Sequence, residues 1–406
     1  MWPVNLSSNG PGLGLSVTPS ELYLDAAATT PTLPSVIASI NAVQREAWGN
    51  PSSLHGTGLV AAEQLARSRQ TIAAQLSADE DELIFTSGAT ESVHLALHGV
   101  AAGCPPGRLV ISAVEHPAVE GAAAQLAQLG WTVARWPVDG SGRIRLELLD
   151  QLLAPPTQLV SLIWGQSEVG TVQPIPLVAS ACRERGIPFH TDATQLIPQG
   201  LVAWSTSCID LLSFSSHKLQ GPRGIGVLLH RQGVLAQPLL TGGGQEGGYR
   251  AGTEAVALIA GLAVALQQLP RFNPQQSMAP PGSTPQIRSM RDRLQSKLEA
   301  IPSLTVINAT EEPRLPHHLA CLIADRAGKP LAGRRLVQQL SRLGVACSSG
   351  SACRSGHAQD SAVLTAMNVA PSWRQSLLRF SLGPWLNDDD LDAVPPLLIR
   401  AIDACT

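Results

Sequence analysis

Residues 209–226 read IDLLSFSSHKLQGPRGIG: an apolar run at 209–214, then a lysine, then a turn rich in glycine and proline. The run predicts a strand, and similar runs alternate with amphipathic stretches along the chain. Such alternation is typical of βα units and a mainly parallel sheet. Ligands of these sheets bind at the carboxyl ends of strands. Lys218, one of only three lysines in 406 residues, is predicted to lie at such an end.

The position of Lys218 favours a reactive amine. A lysine at a strand end can be partly desolvated, which lowers its pKa and leaves more of the amine in the nucleophilic form. Amines of this kind form Schiff bases, and this chemistry suggests pyridoxal phosphate (PLP) as the cofactor. The alternative is a strand-end lysine that points to water, and residues 209–226 alone leave both interpretations open.

The composition limits the class of protein. The chain is 44% hydrophobic and 15% charged with a net charge of −3, which gives no electrostatic reason to expect binding to nucleic acid or to an anionic membrane. No apolar run approaches the length of a membrane span. Seven cysteines without CxxC spacing, and the absence of a signal-peptide pattern in residues 1–20, predict free thiols and a cytoplasmic location.

Hydrophobic patterning places the secondary structure. The predicted strands are residues 83–86, 108–112, 131–134, 158–164, 187–192, 209–214, 304–307 and 318–323. The predicted helices begin at Thr90 or span residues 117–129, 177–185, 256–269 and 287–301. We therefore expect an α/β fold with a large domain built on a mainly parallel sheet.

The chain divides into four predicted parts. Residues 1–20 form an N-terminal extension that is expected to be mobile, and residues 21–270 form the large PLP-binding domain. Residues 271–286 are rich in Pro, Gln and Ser and mark an insertion or linker. Residues 287–406 form a smaller C-terminal α/β domain.

Three segments offer contacts to a phosphate. TSGATE, residues 86–91, follows a predicted strand and opens a helix, so its backbone N–H groups suit an anion and Thr90 adds a hydroxyl. An ordinary capping box is the alternative there. Ser215 and His217, next to the lysine, can reach the same phosphate. The glycine-rich loop at 241–253 permits close backbone approach, but it lacks the spacing of a P-loop or a dinucleotide site.

Polar residues at two other strand ends suit a flat cofactor ring. Asp192, in HTDATQ, can keep a pyridinium nitrogen protonated, and Gln195 can donate to the phenolic oxygen of the ring. A helix N-cap is the alternative for the aspartate. His116, in AVEHPAV, can stack on the ring or move protons near neutral pH, and a hydrogen-bonded turn histidine is the alternative.

The C-terminal part carries a candidate nucleophile and a candidate anion ligand. Cys353 lies in the Ser/Gly-rich stretch CSSGSACRSG, and Arg354 beside it favours the thiolate, so we interpret Cys353 as a nucleophile carried on a loop. Cys347 ends an apolar run and is interpreted as structural, and the spacing disfavours a metal site. Arg379, between SLL and FSLG, is predicted to lie at a strand end, where it could bind a substrate carboxylate or form a structural salt bridge.

Nine motifs occur in an order that resembles one family, from about residue 23 to residue 379 and beyond. They are LDAAATTP, GNPSSLHGTG, TSGATES, EHPAV, HTDATQ, SSHKLQGPRGIG, AGTE, SSGSAC and RFSLG. The chain resembles the cysteine desulfurases, the NifS/IscS-like branch of the class V aminotransferase superfamily. The resemblance implies a fold-type I PLP-dependent transferase with a large mainly parallel-sheet domain, a smaller C-terminal α/β domain and a homodimeric assembly.

The resemblance also implies roles for individual residues. Lys218 would hold PLP covalently, with Asp192 on the ring nitrogen and Gln195 on the ring oxygen. The other cofactor contacts would come from His116, Ala89, Thr90, Ser215, His217, Ser167 and Thr253. Ser167 stands where the family often has an asparagine near the ring. The Thr253 contact is, in this family, usually supplied across the subunit boundary. Arg379 would bind the substrate carboxylate with Asn50 close by, and Cys353 would take the sulfur.

The implied reaction converts L-cysteine to L-alanine and leaves the sulfur as a persulfide on Cys353. The sulfur would then pass to an acceptor protein such as an iron–sulfur scaffold, for iron–sulfur cluster or other thio-cofactor synthesis. An aminotransferase would not need Cys353, and a selenocysteine lyase can tolerate its loss. The third alternative, a non-catalytic scaffold, is disfavoured because Lys218, Asp192 and Cys353 are all present.

Overall fold

A computed structural model describes residues 21–272, 284–307, 313–350 and 360–405. The N-terminal extension, most of the predicted linker at 271–286 and the predicted nucleophile Cys353 lie outside the described residues.

The described residues form strands and helices in alternation. The strands are β1 (Leu22–Tyr23), β2 (Leu83–Thr86), β3 (Arg108–Ser112), β4 (Thr132–Trp136), β5 (Thr157–Ile163), β6 (Phe189–Asp192), β7 (Leu201–Val202), β8 (Leu211–Ser215), β9 (Gly226–His230), β10 (Arg271–Phe272), β11 (Leu304–Ile307), β12 (His318–Ile323), β13 (Val345–Ala346) and β14 (Leu377–Ser381). The helices are α1 (Pro34–Glu46), α2 (Gly56–Leu76), α3 (Ala89–Ala101), α4 (Pro117–Gln128), α5 (Leu149–Leu153), α6 (Ile175–Glu184), α7 (Val256–Leu266), α8 (Thr284–Glu299), α9 (Gly333–Arg342), α10 (Ala362–Ala366) and α11 (Asp388–Asp403).

The central sheet is mainly parallel. Its strand order is β2-β9-β8-β6-β5-β3-β4. The four pairings from β4 to β8 are parallel, and β9 pairs with β8 and β2 in the antiparallel direction. The strands β6, β8 and β9 are buried along their whole length, as expected where helices cover both faces of a sheet. The carboxyl ends of β3, β5, β6 and β8 therefore meet at one edge.

A smaller unit is built from the C-terminal part of the chain. Here β11, β12 and β14 form an antiparallel sheet, and α8 and α9 pack against it. This unit has its own hydrophobic cluster, and α11 contributes to it. Leu24 belongs to that cluster and β1 pairs with β13, so the first described residues pack with the small unit although they precede the large one in the chain. The domain boundary at 271–286 stays a prediction.

The fold class and the strands predicted from the sequence are confirmed. The strands β2, β3, β11 and β12 have the predicted bounds, and the other predicted strands are shifted by one or two residues. The prediction that Arg379 ends a strand is wrong, because SLLR and FSLG continue as one strand and Arg379 is the third of five residues in β14, opposite Ala320 of β12.

Candidate active site

A cavity of about 1340 Å³ lies at the edge where β3, β5, β6 and β8 end, and residues of the small unit complete its wall. Ten of the residues that the sequence predicted line this cavity: Lys218, Asp192, Gln195, His116, Ala89, Thr90, Ser215, His217, Ser167 and Arg379. The carboxyl ends of parallel strands thus gather the polar residues into one site, as this topology requires.

Lys218 ends the short 3₁₀ helix Ser216–Lys218, which follows directly on β8. Its Nζ donates hydrogen bonds to the carbonyl oxygens of Ala27 at 2.5 Å and Ala28 at 2.8 Å. Burial, reinforced by the positive charge of Arg379, lowers the pKa of the amine from 10.5 to about 8. The lysine therefore faces the cavity and does not project into bulk water.

Asp192 ends β6 in the cavity and is 4% exposed. Its Oδ1 accepts a hydrogen bond from the backbone N–H of Thr194 at 3.0 Å, and within the described residues it forms no ion pair. A turn and a short 3₁₀ helix follow it, so it does not cap an α-helix. The buried Gln195 donates from Nε2 to the Ala27 carbonyl at 2.8 Å, which is the same oxygen that receives the Lys218 amine.

Glu115 is a cavity residue that sequence reasoning did not single out, although the motif EHPAV contains it. Its Oε1 accepts hydrogen bonds from the backbone N–H (3.1 Å) and hydroxyl (2.6 Å) of Ser112 and from the N–H of Ile163 (2.9 Å). The carboxyl group therefore joins the ends of β3 and β5. Burial, with Asp192 nearby, raises the pKa of Glu115 to about 8, so this group keeps its proton at neutral pH.

The start of α3 forms a cradle for an anion. The N-cap residue Gly88 provides no side-chain cap, and the N–H of Ala89 donates to Ser215 Oγ at 3.4 Å. A Cβ on Gly226 would lie 2.6 Å from the Cα of Gly88, so only glycine lets β9 approach so closely. Backbone N–H groups without a side-chain cap, together with the helix dipole, make this end of α3 suitable for an anion.

The capping-box alternative for TSGATE does not describe the start of α3. Glu91, which would close such a box, accepts the N–H of Ser87 at 2.7 Å and pairs with Arg250 at 2.8 Å. Its carboxylate therefore bonds to the residue before the N-cap and not to the N–H of Gly88, which donates to Thr86 Oγ1 at 3.4 Å.

The two predicted histidines occupy different positions. His116 is the N-cap residue of α4, and its Nδ1 accepts the N–H of Ala118 at 3.1 Å, so the proton of the neutral ring is on Nε2. Its ring is exposed on the cavity side. His217 contacts Thr29 Oγ1 through Nδ1 at 3.0 Å. Burial, and then the charge of Lys218, lowers the pKa of His217 to about 4, so this ring is neutral.

Arg379 reaches the cavity from the middle of β14 and is only 5% exposed. Its Nη2 donates to Asp25 Oδ1 at 2.6 Å, and its Nη1 donates to the carbonyl of Ser167 at 2.9 Å. The structural salt bridge and the cavity position are therefore both present, and the two interpretations of this arginine are compatible.

The comparisons with known proteins agree with this fold and site. The class V aminotransferase family matches residues 22–394. Cysteine desulfurase NifS of Azotobacter vinelandii is 35% identical over 387 residues, which cover 94% of this chain and 93% of the relative. The chain belongs to the cysteine desulfurase family.

Solved structures of similar proteins have the same fold as this desulfurase family member. A NifS-like protein aligns with a TM-score of 0.82 at 29% identity and covers 95% of this chain and 99% of its own. SspA in complex with cysteine aligns with a TM-score of 0.76 at 30% identity and covers 90% of this chain and 99% of its own. The α/β fold is that of the fold-type I PLP enzymes.

Two residues that the desulfurase resemblance assigned to the site do not line the cavity. Asn50 is exposed, and its Oδ1 accepts the N–H of Ser52 at 2.9 Å. Thr253 is exposed as well and follows the glycine-rich loop. The single chain therefore does not bring Asn50 beside Arg379 or Thr253 to the start of α3.

The described cysteines of this desulfurase family member are not placed for catalysis. None of Cys104, Cys182, Cys208, Cys321, Cys347 and Cys405 lines the cavity. Burial raises the pKa of the Cys347 thiol, in agreement with the structural role predicted for it. Cys353 lies outside the described residues, and its role stays a prediction.

The described parts of the chain show neither a membrane-spanning helix nor a metal-binding cluster. No helix there is both long and apolar enough to cross a membrane. No cluster of three or more His, Cys, Asp or Glu residues in those parts is arranged to hold a metal ion.

Proposed function

We propose that this chain is a PLP-dependent cysteine desulfurase that converts L-cysteine to L-alanine and stores the sulfur as a persulfide on Cys353. The observation that carries the proposal is the meeting of Lys218, Asp192 and Arg379 in one cavity. A desolvated amine, a buried carboxylate and a guanidinium are the groups that an amino-acid-converting PLP enzyme needs.

The residues of the cavity fit PLP. The uncapped start of α3, with Ser215 beside it, suits the phosphate. Asp192 is a buried carboxylate that would hold the protonated ring nitrogen. The buried hydroxyl of Thr194, next to Gln195, has no hydrogen-bond partner among the described residues, which is consistent with room for a polar ligand. Lys218 and His116 would complete the contacts from two other strand ends.

Bound PLP would act as an electron sink for the carbanion formed at the substrate Cα. Lys218 would remove the Cα proton of L-cysteine. Its pKa of about 8 keeps a usable fraction of the amine unprotonated near neutral pH while leaving it basic enough to accept that proton.

Arg379 on β14 and His116 at the start of α4 would both act on the substrate. The guanidinium of Arg379 would bind the substrate carboxylate and fix the Cα–H bond toward Lys218. The Nε2–H of His116 would donate a hydrogen bond to the departing group, since Nδ1 accepts the N–H of Ala118.

The sulfur step balances without an external oxidant. The Cys353 thiolate would attack the sulfur of L-cysteine, so that the carbon–sulfur bond breaks and a sulfur–sulfur bond forms. The β-carbon takes up a proton and becomes the methyl group of alanine, while the transferred sulfur remains as the persulfide. No cysteine among the described residues lines the cavity, and the proposal assigns the thiol to Cys353 from the sequence resemblance.

A homodimer accounts for the two site residues that lie off the cavity. Asn50 and Thr253 sit beside exposed large apolar side chains: Trp48 is 69% exposed, Leu54 91% and Leu240 49%. Exposed apolar groups of this size are typical of interaction surfaces. In a dimer these segments would reach the neighbouring cavity, and an acceptor protein such as an iron–sulfur scaffold would receive the sulfur.

The test of the sulfur step replaces the nucleophile. We expect Cys353→Ser to lower sulfide release from L-cysteine, measured with a thiol reductant, by at least about 100-fold while PLP absorbance stays unchanged. Cys208→Ser is the matched control, since Cys208 is half-buried outside the cavity and its removal should leave the rate unchanged.

The same variant separates the neighbouring activities. An aminotransferase would convert cysteine and a keto acid equally well with and without Cys353. A selenocysteine lyase would keep releasing selenide in Cys353→Ser. Alanine formation from L-cysteine at the full rate in that variant would refute the persulfide role.

A further inference from the structure

Residues 25–30 cross from the small unit to the large one and contact the functional groups of both. This segment, here called the strap, begins at Asp25, which pairs with Arg379 at 2.6 Å. Two residues later the Ala27 carbonyl receives hydrogen bonds from Lys218 and Gln195. The strap therefore connects Arg379, in the cavity wall, to Lys218, which follows β8. The sequence analysis assigned the strap no role.

We propose that Asp25 is the positioning residue for Arg379, which it holds in the orientation that receives the carboxylate of L-cysteine. The proposal rests on the proposed function, since it assigns Arg379 to that carboxylate. Asp25 itself does not touch the substrate in this account.

The hydrogen bonds of Arg379 leave room for a substrate. A guanidinium has five N–H donors in a fixed fork. Asp25 takes one from Nη2 and the Ser167 carbonyl takes one from Nη1. Three N–H groups remain: one on each Nη and that of Nε, which is buried without a partner among the described residues. A carboxylate can bind two of these three in the bidentate manner while both protein contacts persist.

Asp25 is itself held firmly enough to orient another side chain. Its backbone bridges to Ser381, and its carbonyl accepts the N–H of Ala28 at 2.9 Å and the hydroxyl of Tyr23 at 3.2 Å. The carbonyl of Tyr23 in turn accepts the indole N–H of Trp385 at 2.9 Å. These contacts fix the carboxylate relative to β14, the strand that carries Arg379.

The charge balance of the cavity also supports a role for Asp25 beside Arg379. Arg379 is buried, and a buried guanidinium without a counter-ion is costly. Asp25 provides that counter-ion before substrate arrives. The negative charge of Asp25 also opposes the effect of Arg379 on the pKa of Lys218, so Asp25 limits how far this pKa falls.

The test compares ligands with and without a carboxylate on the PLP-loaded enzyme. We expect Asp25→Ala to raise the KM for L-cysteine about 10-fold, with kcat within about threefold, because one charge-assisted contact to Arg379 is lost. L-alanine, followed by absorbance titration, should bind about 10-fold more weakly too. Cysteamine, which has the same amine and thiol without the carboxylate, should bind within about twofold of wild type.

Two further variants calibrate the result. Arg379→Ala sets the full loss of carboxylate binding. Glu82→Gln, which breaks a part-buried pair with Arg231 (2.9 Å) outside the cavity, should leave both ligands unaffected. If Asp25→Ala does not fold, Asp25→Asn replaces it in the test. This variant keeps the shape of the side chain and loses its charge, and we expect it to raise the KM for L-cysteine about threefold.

An unchanged KM in the Asp25 variant, beside a raised KM in Arg379→Ala, would overturn the proposal, because the guanidinium would then be oriented without Asp25. An equal weakening of cysteamine binding would overturn the proposal too, since Asp25 would then support the fold in general and not the binding of a carboxylate. Wild-type protein that forms no alanine from L-cysteine would refute the proposed function itself, and this proposal with it.

Discussion

The large and the small sheet place their functional residues in different ways. In the large parallel sheet, Lys218, Asp192 and His116 follow the carboxyl ends of β8, β6 and β3. In the small antiparallel sheet, Arg379 projects from the middle of β14 and is held by Asp25. Lys218 and Asp192 form no ion pair among the described residues, whereas Arg379 has its charge partner in place. Under the proposed function, the residues of the large sheet would carry the chemistry and Arg379 of the small sheet would bind the substrate.

The largest effect is expected at Lys218, which follows a strand end of the large sheet. Lys218→Ala should lower kcat for alanine formation by at least about 10³-fold, because it removes the group that moves the Cα proton. The measurement is the rate of alanine formation from L-cysteine with PLP in excess. Borohydride treatment, which fixes PLP to its lysine, should label the wild type and leave the variant unlabelled.

Lys297 gives a matched control, since it is one of the three lysines and pairs with Asp392 far from the cavity. Lys297→Ala should keep full turnover and the borohydride label. A label on any peptide other than the one that carries Lys218 would contradict the assignment.

The next effect tests the mid-strand side. Arg379→Ala should raise the KM for L-cysteine about 10²-fold with a smaller change in kcat, because it removes a bidentate contact to a charged group. Arg379→Lys should recover little of this loss, because an ammonium group cannot form the fork. Steady-state kinetics give both values. A loss confined to kcat would contradict the proposal that Arg379 of the small sheet binds the substrate.

The same contrast explains what the sequence could predict. Strand-end residues follow from local patterns: an apolar run ending in HTDATQ or SSHK places its polar residues at the ligand-binding edge of any parallel sheet. The pair of Asp25 and Arg379 joins residues 354 positions apart, and no local pattern encodes that contact.

Glu115, Asn50 and Thr253 also depend on contacts that local sequence patterns do not encode. Glu115 escaped notice because its neighbour His116 carries the recognisable chemistry, while the role of the glutamate depends on the distance between the ends of β3 and β5. Asn50 and Thr253 were assigned from the resemblance alone, and their place in the single chain is away from the cavity. Nothing in one sequence states which contacts cross a subunit boundary.

A smaller effect is expected at the anion cradle. Gly226→Ala should weaken PLP affinity about 10-fold and lower stability by about 1–3 kcal/mol, because the new Cβ would meet the backbone of Gly88 at 2.6 Å. Absorbance titration of the cofactor-free protein with PLP measures the affinity. Gly140→Ala is the control, since a Cβ there meets nothing within 4 Å. Unchanged PLP affinity in Gly226→Ala would show that the phosphate binds elsewhere.

The last prediction concerns Glu115, the buried carboxyl group that joins the ends of β3 and β5. The folded-state pKa of Glu115, about 8, lies above its ordinary 4.5, so the folded chain keeps a proton that the unfolded chain has lost. Its contribution to stability is therefore present below about pH 4.5 and is lost as the pH rises to about 8. Glu115→Gln imitates the protonated form, so its stability advantage over wild type should grow across this window and level off above it. Urea unfolding of both proteins between pH 5 and 9 measures the difference, and a gap that stays constant with pH would show that Glu115 is ionised in the folded chain.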